Sequence, residues 1–290
     1  SKSFTPQIDI EEHRLIRETA CCAIAESKPT FSIVIPAFNE EHRIMKTLLE
    51  WTKFLDARFS KDYEILVVMD GCTDSTPSIV SNFAKKADSV VPLIYFKRLG
   101  KGGALRRAFE KARGNFIFFT DADASLPVSE FLKFVKALEV GDLVIGCRYW
   151  EGSTFEVSLP FYRLVLSRVF NVVLRVVFNE LRGIHDTQCG AKAVRRSVFL
   201  AIKDDLFVSD FAFDVNLIYS ALRKGFTVVN IYVNWNHSDD GSKISGNCWK
   251  IGFAMFLSVL RLKVYYSRFR KLLYSRLLKG LFKLLYKVFS

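Results

Sequence analysis

Gly114-Asn115-Phe116-Ile117-Phe118-Phe119-Thr120-Asp121-Ala122-Asp123 reads as a buried strand that ends in two acids one position apart. The unbroken apolar run Phe116 to Phe119 is the pattern of a strand covered on both faces. In an open α/β sheet the carboxyl edge of such a strand is where ligands bind. Asp121 and Asp123 at that edge offer hard oxygen ligands to Mg²⁺ or Mn²⁺, cations that take carboxylate, water and phosphate oxygens. The same Asp-Ala-Asp also suits a solvated turn, so the rest of the chain decides between the two.

Working outward, strand and helix patterns alternate. Phe31 to Pro36 reads as a central strand, followed by the loop Ala37 to Glu41 and a helix to about Phe59 with Ile44, Leu48, Leu49 and Leu55 near a 3.6-residue period. Tyr63 to Met69 is a second strand, landing on Asp70-Gly71-Cys72-Thr73-Asp74-Ser75. Pro77 to Lys86 is predicted helical, Val90 to Phe96 a strand, and Gly100-Lys101-Gly102-Gly103 opens a helix running to Ala112. Leu143 to Cys147 is a short strand ending on Arg148. This alternation predicts an α/β, Rossmann-like, mostly parallel sheet flanked by helices.

The pattern changes after Gly152. Leu159 to Phe178 is apolar yet carries Arg163, Arg168 and Arg175, which suits either a core helix or one lying against lipid. Val194 to Ile202 and Phe213 to Lys224 read as helices, Thr227 to Trp235 as a strand, and Ile10 to Ala25 as a short helix. The expected organisation is an N-terminal extension (1–30), one domain (31–246) and a basic tail (247–290).

Charge separates these parts. The chain of 290 residues carries 42 basic and 30 acidic side chains, a net charge of +12, and from Gly241 onward there are eleven Lys/Arg and no Asp/Glu. The body is therefore near neutral, which argues against a broad nucleic-acid-binding face. Leu, Phe and Tyr interleave with the tail's cations, a composition suited to amphipathic helices on an anionic membrane surface; packing back on the domain, or pairing between subunits, is the alternative. No apolar run reaches the roughly 18–20 residues of a spanning helix, and no stretch reads as a signal peptide. The six cysteines have no C-x-x-C pairing and read as reduced thiols of a cytosol-facing protein.

Several motifs fall in one order: Ser32-Ile33-Val34-Ile35-Pro36-Ala37-Phe38-Asn39-Glu40-Glu41, Asp70-Gly71-Cys72-Thr73-Asp74-Ser75, Gly100-Lys101-Gly102-Gly103-Ala104 and Asp121-Ala122-Asp123. In this order they resemble the GT-A-fold family 2 glycosyltransferases. Asp186-Thr187-Gln188-Cys189-Gly190, Phe211-Ala212-Phe213-Asp214, Val233-Asn234-Trp235 and Gly241-Ser242-Lys243 are similar to the polyprenyl-phosphate branch, and within it to the dolichyl-phosphate β-glucosyltransferases. The resemblance spans residues 30 to 246 and carries site roles with it. It implies a nucleotide-sugar pocket of Pro36, Phe38, Glu40, Val68, Asp70, Lys101, Gly102, Asp121, Ala122 and Asp123. A buried carboxylate there discriminates between bases, because a mismatched base leaves it unpaired. Asp123 is implied as the first metal ligand, with Asp121 sharing the metal or holding the ribose. The catalytic set is Asp121, Asp123, Asp214 and Arg148, with Arg148, Arg163 and Lys243 on the acceptor phosphate. Asp186 and Gln188 are expected to shape the same pocket and His185 to be structural, while His237 takes no assigned role.

The chain departs from relatives in having Met69 in place of a second Asp, Ser125 in place of a Gln found in some mannosyl enzymes, and Asn216 in place of an acid two residues after Asp214. Asn216 weakens a base role for Asp214, and Ser125 leans away from mannosyl transfer. The activity implied is inverting transfer of a hexose, glucose from UDP-glucose, onto dolichyl or polyprenyl phosphate at the cytosolic face of a membrane. That membrane would be the endoplasmic reticulum of a eukaryote or the plasma membrane of a prokaryote. Transfer from GDP-mannose, transfer to another lipid or glycan, and a non-enzymatic membrane adaptor are the alternatives.

Overall fold

The computed structural model describes residues 29–148, 170, 172–236 and 248–271. Among these, seven strands form one sheet in the order β3-β2-β1-β4-β6-β5-β7. The strands are β1 (Phe31–Ala37), β2 (Tyr63–Asp70), β3 (Val90–Tyr95), β4 (Phe116–Phe119), β5 (Leu143–Cys147), β6 (Lys192–Arg195) and β7 (Val228–Tyr232). The helices are α1 (Ile44–Phe59), α2 (Thr76–Ala84), α3 (Lys101–Lys111), α4 (Phe131–Ala137), α5 (Arg196–Ile202), α6 (Phe213–Arg223) and α7 (Cys248–Tyr265). Every strand but β6 runs in one direction.

β6 corrects the sequence reading, which gave Val194 to Ile202 wholly to a helix. Four residues with a basic side chain at each end carry no readable period, and the strand is recognisable only from its partners. It pairs antiparallel with both β4 and β5. Its direction matters: because it runs backwards, β6 starts at the edge where the parallel strands end. The loop before it, Asp186 to Gly190, is thereby delivered to that edge.

Two apolar layers hold the sheet. Alternate residues of β4 divide between them, Ile117 and Phe119 on one face and Phe116 and Phe118 on the other. On the second face Phe118 meets Phe131, Phe134 and Trp51 at ring-centroid distances of 5.0, 4.9 and 5.6 Å, each contact adding about 0.5–1.5 kcal/mol beyond area burial. The first face is covered by α3, α5 and α6 through Leu105, Phe109, Phe199 and Phe213.

Pro36 sits inside a strand that has neighbours on both sides, which is allowed by where β4 stops. The last β1–β4 pair is Val34 with Phe119, and Thr120 donates its N–H to the Val34 carbonyl. Pro36 has the same parity as Val34, so the N–H it lacks would point beyond the end of β4, where no ladder bond is required. Asp121 follows directly beyond the end of β4 on this side.

At the opposite edge Glu64 is 2% exposed and fully engaged. It accepts hydrogen bonds from Ser32 Oγ (2.7 Å), Arg113 N–H (2.6 Å) and Arg113 Nε (2.9 Å). Gly114 donates its N–H to Ser32 Oγ at 2.8 Å.

The end of the Leu159 to Phe178 segment that is described is helical at 172–177. It has a core face and an outer one: Leu174 and Phe178 are buried, whereas Val172 and Val176 are exposed. The first part of the basic tail is strapped to the domain. Leu257, Val259 and Leu262 of α7 are buried, Ser258 Oγ donates to Asp210 at 2.6 Å, and the hydroxyls of Tyr265 and Tyr266 donate to Asp205 and Ser220, both at 2.9 Å. Phe256, Leu260 and Phe269 remain exposed, and Arg268, Arg270 and Lys271 are exposed on either side of Phe269 in the chain. The helix expected at Ile10 to Ala25 lies outside the described residues.

A Cβ on Gly114 would stand 2.6 Å from Ser32 N and 2.8 Å from the Phe31 carbonyl carbon, whereas one on Gly183 meets nothing within 4 Å. Gly114→Ala is therefore expected to destabilise by about 1–3 kcal/mol in urea unfolding. Gly183→Ala should stay within about 0.5 kcal/mol of wild type.

Candidate active site

The site is the edge at which β1, β2, β4, β5 and β7 end and β6 begins. Pro36 and Val68 are direct neighbours in the β1–β2 register, and Phe38 and Asp70 extend the same face. The ring of Phe38 is covered by the Arg98 guanidinium at 3.6 Å from its centroid. The loops after β1 and β2 are cross-linked. Thr73 donates its N–H to Asn39 Oδ1 (2.8 Å), Glu40 N–H donates to Thr76 Oγ1 (2.8 Å) and Ser75 N–H to Glu41 (2.9 Å). Asp74 accepts from the N–H groups of Glu41 and Thr76. Burial works against its ionisation, but the hydrogen bonds from Thr76 and Glu41 outweigh that and hold its carboxyl below the usual range. Glu40 is ion-paired with Arg43 at 2.5 Å.

Asp70, 5% exposed, accepts the N–H groups of Leu99 (2.6 Å) and Gly100 (2.9 Å). It fastens the glycine loop to the end of β2. Gly102 packs closely: its N–H donates to the Ser209 carbonyl at 2.9 Å, and a Cβ there would lie 2.6 Å from both Phe213 Cβ and the Val208 carbonyl oxygen. Gly102 thus contributes close packing against the loop before α6, its N–H being committed to that loop. Asn216 shapes the same loop. Its Oδ1 accepts from Phe207 and Val208 (3.0 and 3.1 Å), and its Nδ2 donates to the Asp205 carbonyl (2.9 Å) and Ser220 Oγ (3.0 Å). That set needs a donor and an acceptor in one side chain, which an ionised acid does not provide.

Lys101 Nζ is 2.9 Å from Asp121 Oδ1. Burial acts to lower the lysine's pKa, but Asp121 and Asp214 outweigh it and hold the ammonium well above the usual lysine value. Asp123 accepts the Ser125 N–H at 3.0 Å. Burial, then repulsion from Asp121, raises its carboxyl above the ordinary range. Two carboxylates one residue apart are hard oxygen donors of the kind that fit a divalent cation, whose other positions would be filled by phosphate oxygens and water. Ala122 is buried beneath them, and its carbonyl accepts from Thr47 Oγ1 of α1 at 2.8 Å.

Arg148, one residue past β5, is held by Asp186 in a forked pair, Nε to Oδ2 at 2.8 Å and Nη2 to Oδ1 at 3.1 Å. Burial pushes the Asp186 carboxyl up, but Arg148 prevails and keeps it below the usual range. The Arg148 guanidinium lies 5.6 Å from the centre of the Trp235 ring. Trp235 is fixed through its neighbours: Asn234 bonds Glu130 through N–H (3.1 Å) and Nδ2 (3.0 Å), and Asn236 N–H donates to the Ser125 carbonyl at 2.7 Å. His185 Nδ1 lies 3.2 Å from the Tyr232 hydroxyl. Burial pushes the Cys147 and Cys189 thiols up to about 12, which leaves neither as a nucleophile at neutral pH.

Asp121, Asp123, Lys101, Arg148 and Asp186 thus share one edge, with Pro36, Phe38, Val68 and Asp70 alongside. Asp214 is placed beneath it, 2% exposed, with Oδ1 2.6 Å from Lys192 Nζ. Arg163, Lys243 and His237 lie outside the described residues. Sequence reasoning missed Lys192, Arg98 and Arg43. Lys192 had no signal, standing just before an apolar stretch read as helix. Arg98 could have been found from its place beside Gly100-Lys101.

Comparison with known proteins agrees with the fold and the motifs. The family model of glycosyl transferase family 2 matches residues 32–202. Dolichyl-phosphate beta-glucosyltransferase of Dictyostelium discoideum is 32% identical over 73% of this chain and 68% of that protein, and the human protein of that name is 31% identical over 73% and 69%. Glycosyltransferase AglD of Haloferax volcanii is 32% identical over 72% of this chain but only 33% of its own length, so this chain spans about a third of that archaeal protein. Among solved structures, glucosyl-3-phosphoglycerate synthase from Mycobacterium tuberculosis in complex with UDP superimposes with a TM-score of 0.61 at 18% identity, over 90% of this chain and 87% of that one.

Breaking the Arg148–Asp186 pair gives a signed pH test. A carboxyl depressed in the folded state adds stability that is complete above its unfolded pKa, about 3.9, and is lost as pH falls towards the folded value. Asp186→Asn is expected to cost about 3–5 kcal/mol at pH 7 in urea unfolding and to flatten the fall in stability below about pH 4.

Proposed function

The chain belongs to glycosyl transferase family 2, and from that premise we propose that it is an inverting hexosyltransferase that moves glucose from UDP-glucose to dolichyl or another polyprenyl phosphate. The observation that carries this reading is the clustering, at one sheet edge, of the Asp121–Asp123 pair and Lys101 with the Asp186-oriented Arg148. The names of the eukaryotic relatives support the acceptor and the sugar. A Mycobacterium tuberculosis neighbour solved with Mn²⁺ and UDP-glucose supports the donor and the metal.

In this reading Asp123 and Asp121 hold Mg²⁺ or Mn²⁺, which as a Lewis acid eases departure of the nucleoside diphosphate. Pro36, Phe38 and Arg98 wall the base and ribose side, with Asp70 fixing the glycine loop against them; Val68, expected there from the sequence, is fully buried in the core beside Pro36. Lys101 stands beside the diphosphate position. Arg148, pre-aimed by Asp186, holds the acceptor phosphate, as Arg163 and Lys243 would from their segments. A phosphate monoester is already anionic at neutral pH, so attack at the anomeric carbon calls for cations that position it more than for a strong base. In-line attack inverts α to β. The exposed Phe256, Leu260 and Phe269 with the neighbouring Arg268, Arg270 and Lys271 suit docking on an anionic bilayer. The expected location is the cytosolic face of the endoplasmic reticulum or, in a prokaryote, of the plasma membrane.

Mass-spectrometric assay of the purified protein with polyprenyl phosphate and either UDP-glucose or GDP-mannose tests the proposal. Glucosyl-phosphoryl-polyprenol is expected from UDP-glucose, abolished by EDTA, restored by Mn²⁺ or Mg²⁺, and reduced about 10²–10³-fold by Asp123→Asn. Product from GDP-mannose alone would overturn the donor, and no lipid product from either donor would overturn the proposal.

A further inference from the structure

The antiparallel register of β4 with β6 pairs Phe119 with Lys192. Continued by two residues, it sets Asp121 opposite Gly190, where cross-strand side chains share a face. Gly190 leaves the room that Asp121 uses: a Cβ there would lie 1.9 Å from Asp121 Oδ2, 2.7 Å from its Cγ and 3.2 Å from Trp235 Cη2. The peptide before Gly190 is in turn held from below. Lys192, 0% exposed, donates from Nζ to the Cys189 carbonyl and to Asp214 Oδ1, both at 2.6 Å, and its ammonium lies 5.4 Å from the Phe119 ring centre. A lysine buried this deeply needs a counter-charge, and Asp214 provides it.

We propose that Asp214 is a positioning residue: through Lys192 and the Cys189 carbonyl it fixes the Gly190 backbone, and that bare backbone is the seat on which the Asp121 carboxylate is aimed at the metal and nucleotide. The proposal rests on the metal-dependent transfer described above and assigns Asp214 a role beneath the site in place of contact with the acceptor. Its side chain is 3% exposed and committed to Lys192, so it acts on the reaction through Asp121. Gly190 and Lys192 become determinants of metal binding although neither is a ligand.

Two measurements test this. The first needs no metal: the crystal structures of Gly190→Ala and Asp214→Asn, compared with wild type. Gly190→Ala is expected to rotate Asp121 off its seat and break its 2.9 Å contact with Lys101, and Asp214→Asn to shift the Gly190 peptide. An unmoved Asp121 in the first, or an unmoved Gly190 in the second, would overturn the proposal. The second is Mn²⁺ affinity in the presence of UDP, read by electron paramagnetic resonance on folded protein. Gly190→Ala, Asp214→Asn and Lys192→Met are each expected to weaken Mn²⁺ at least tenfold, and the Asp214→Asn/Lys192→Met double variant to lose no more than the worse single. Wild-type Mn²⁺ affinity in Asp214→Asn, with turnover lost and the acid limb of its pH profile removed, would make Asp214 the base and overturn the proposal. Should wild type itself bind no Mn²⁺, the transfer reading fails while the crystal structures still decide the seating of Asp121.

Discussion

Charge balance at one sheet edge is the constraint on which this structure depends. Four acids there have a cation in contact: Glu40 with Arg43, Asp121 with Lys101, Asp186 with Arg148 and Asp214 with Lys192. Burying the Asp214–Lys192 pair, and the carboxylate of Asp186, carries a desolvation cost that replacement by apolar side chains would avoid. The pairs also orient their members, and two of them bear on exposed chemistry: Asp186 aims Arg148, and Lys192 steadies the loop under Asp121. Asp123 differs, since it accepts a backbone N–H from Ser125 and its carboxyl is raised by burial and by Asp121. Asp123 is thus the acid of the Asp121–Asp123 pair without a cation in contact among the described residues, and a divalent cation there would relieve it.

The backbone supplies that edge with few devices. β4 stops at Phe119, so Pro36 is tolerated in β1. Asp70 ties the glycine loop to β2, and the Gly102 and Gly103 N–H groups both reach the Ser209 carbonyl. Next to Ser209, Asp210 accepts from Ser258 of α7. The basic tail is therefore linked through one loop to the helix that carries Lys101.

Much of this was legible in the sequence because parallel strands buried on both faces leave continuous apolar runs. Phe116 to Phe119, Ile65 to Met69 and Leu143 to Cys147 are such runs, and the polar residues after them fell at the shared edge. The acids at 121 and 123, Lys101 and Arg148 could be placed by that reasoning. β6 could not, since four residues have no period to read, and with it went Lys192 and the position of Gly190 opposite Asp121. Asn216 was seen as a departure from an acid, but its four hydrogen bonds to one loop and its own helix depend on tertiary neighbours that no local pattern encodes. The tail's composition suggested lipid contact, and only the packing of Leu257, Val259 and Leu262 reveals that its first turns also belong to the core.

The most direct measurement is diffraction from crystals of the protein grown with Mn²⁺ and UDP, collected at the manganese absorption edge. One anomalous peak is expected within ligand distance of Asp123, with Asp121 still seated over Gly190. A bound UDP with no peak there, or a peak remote from both acids, would contradict the assignment of this edge as a metal-dependent transfer site.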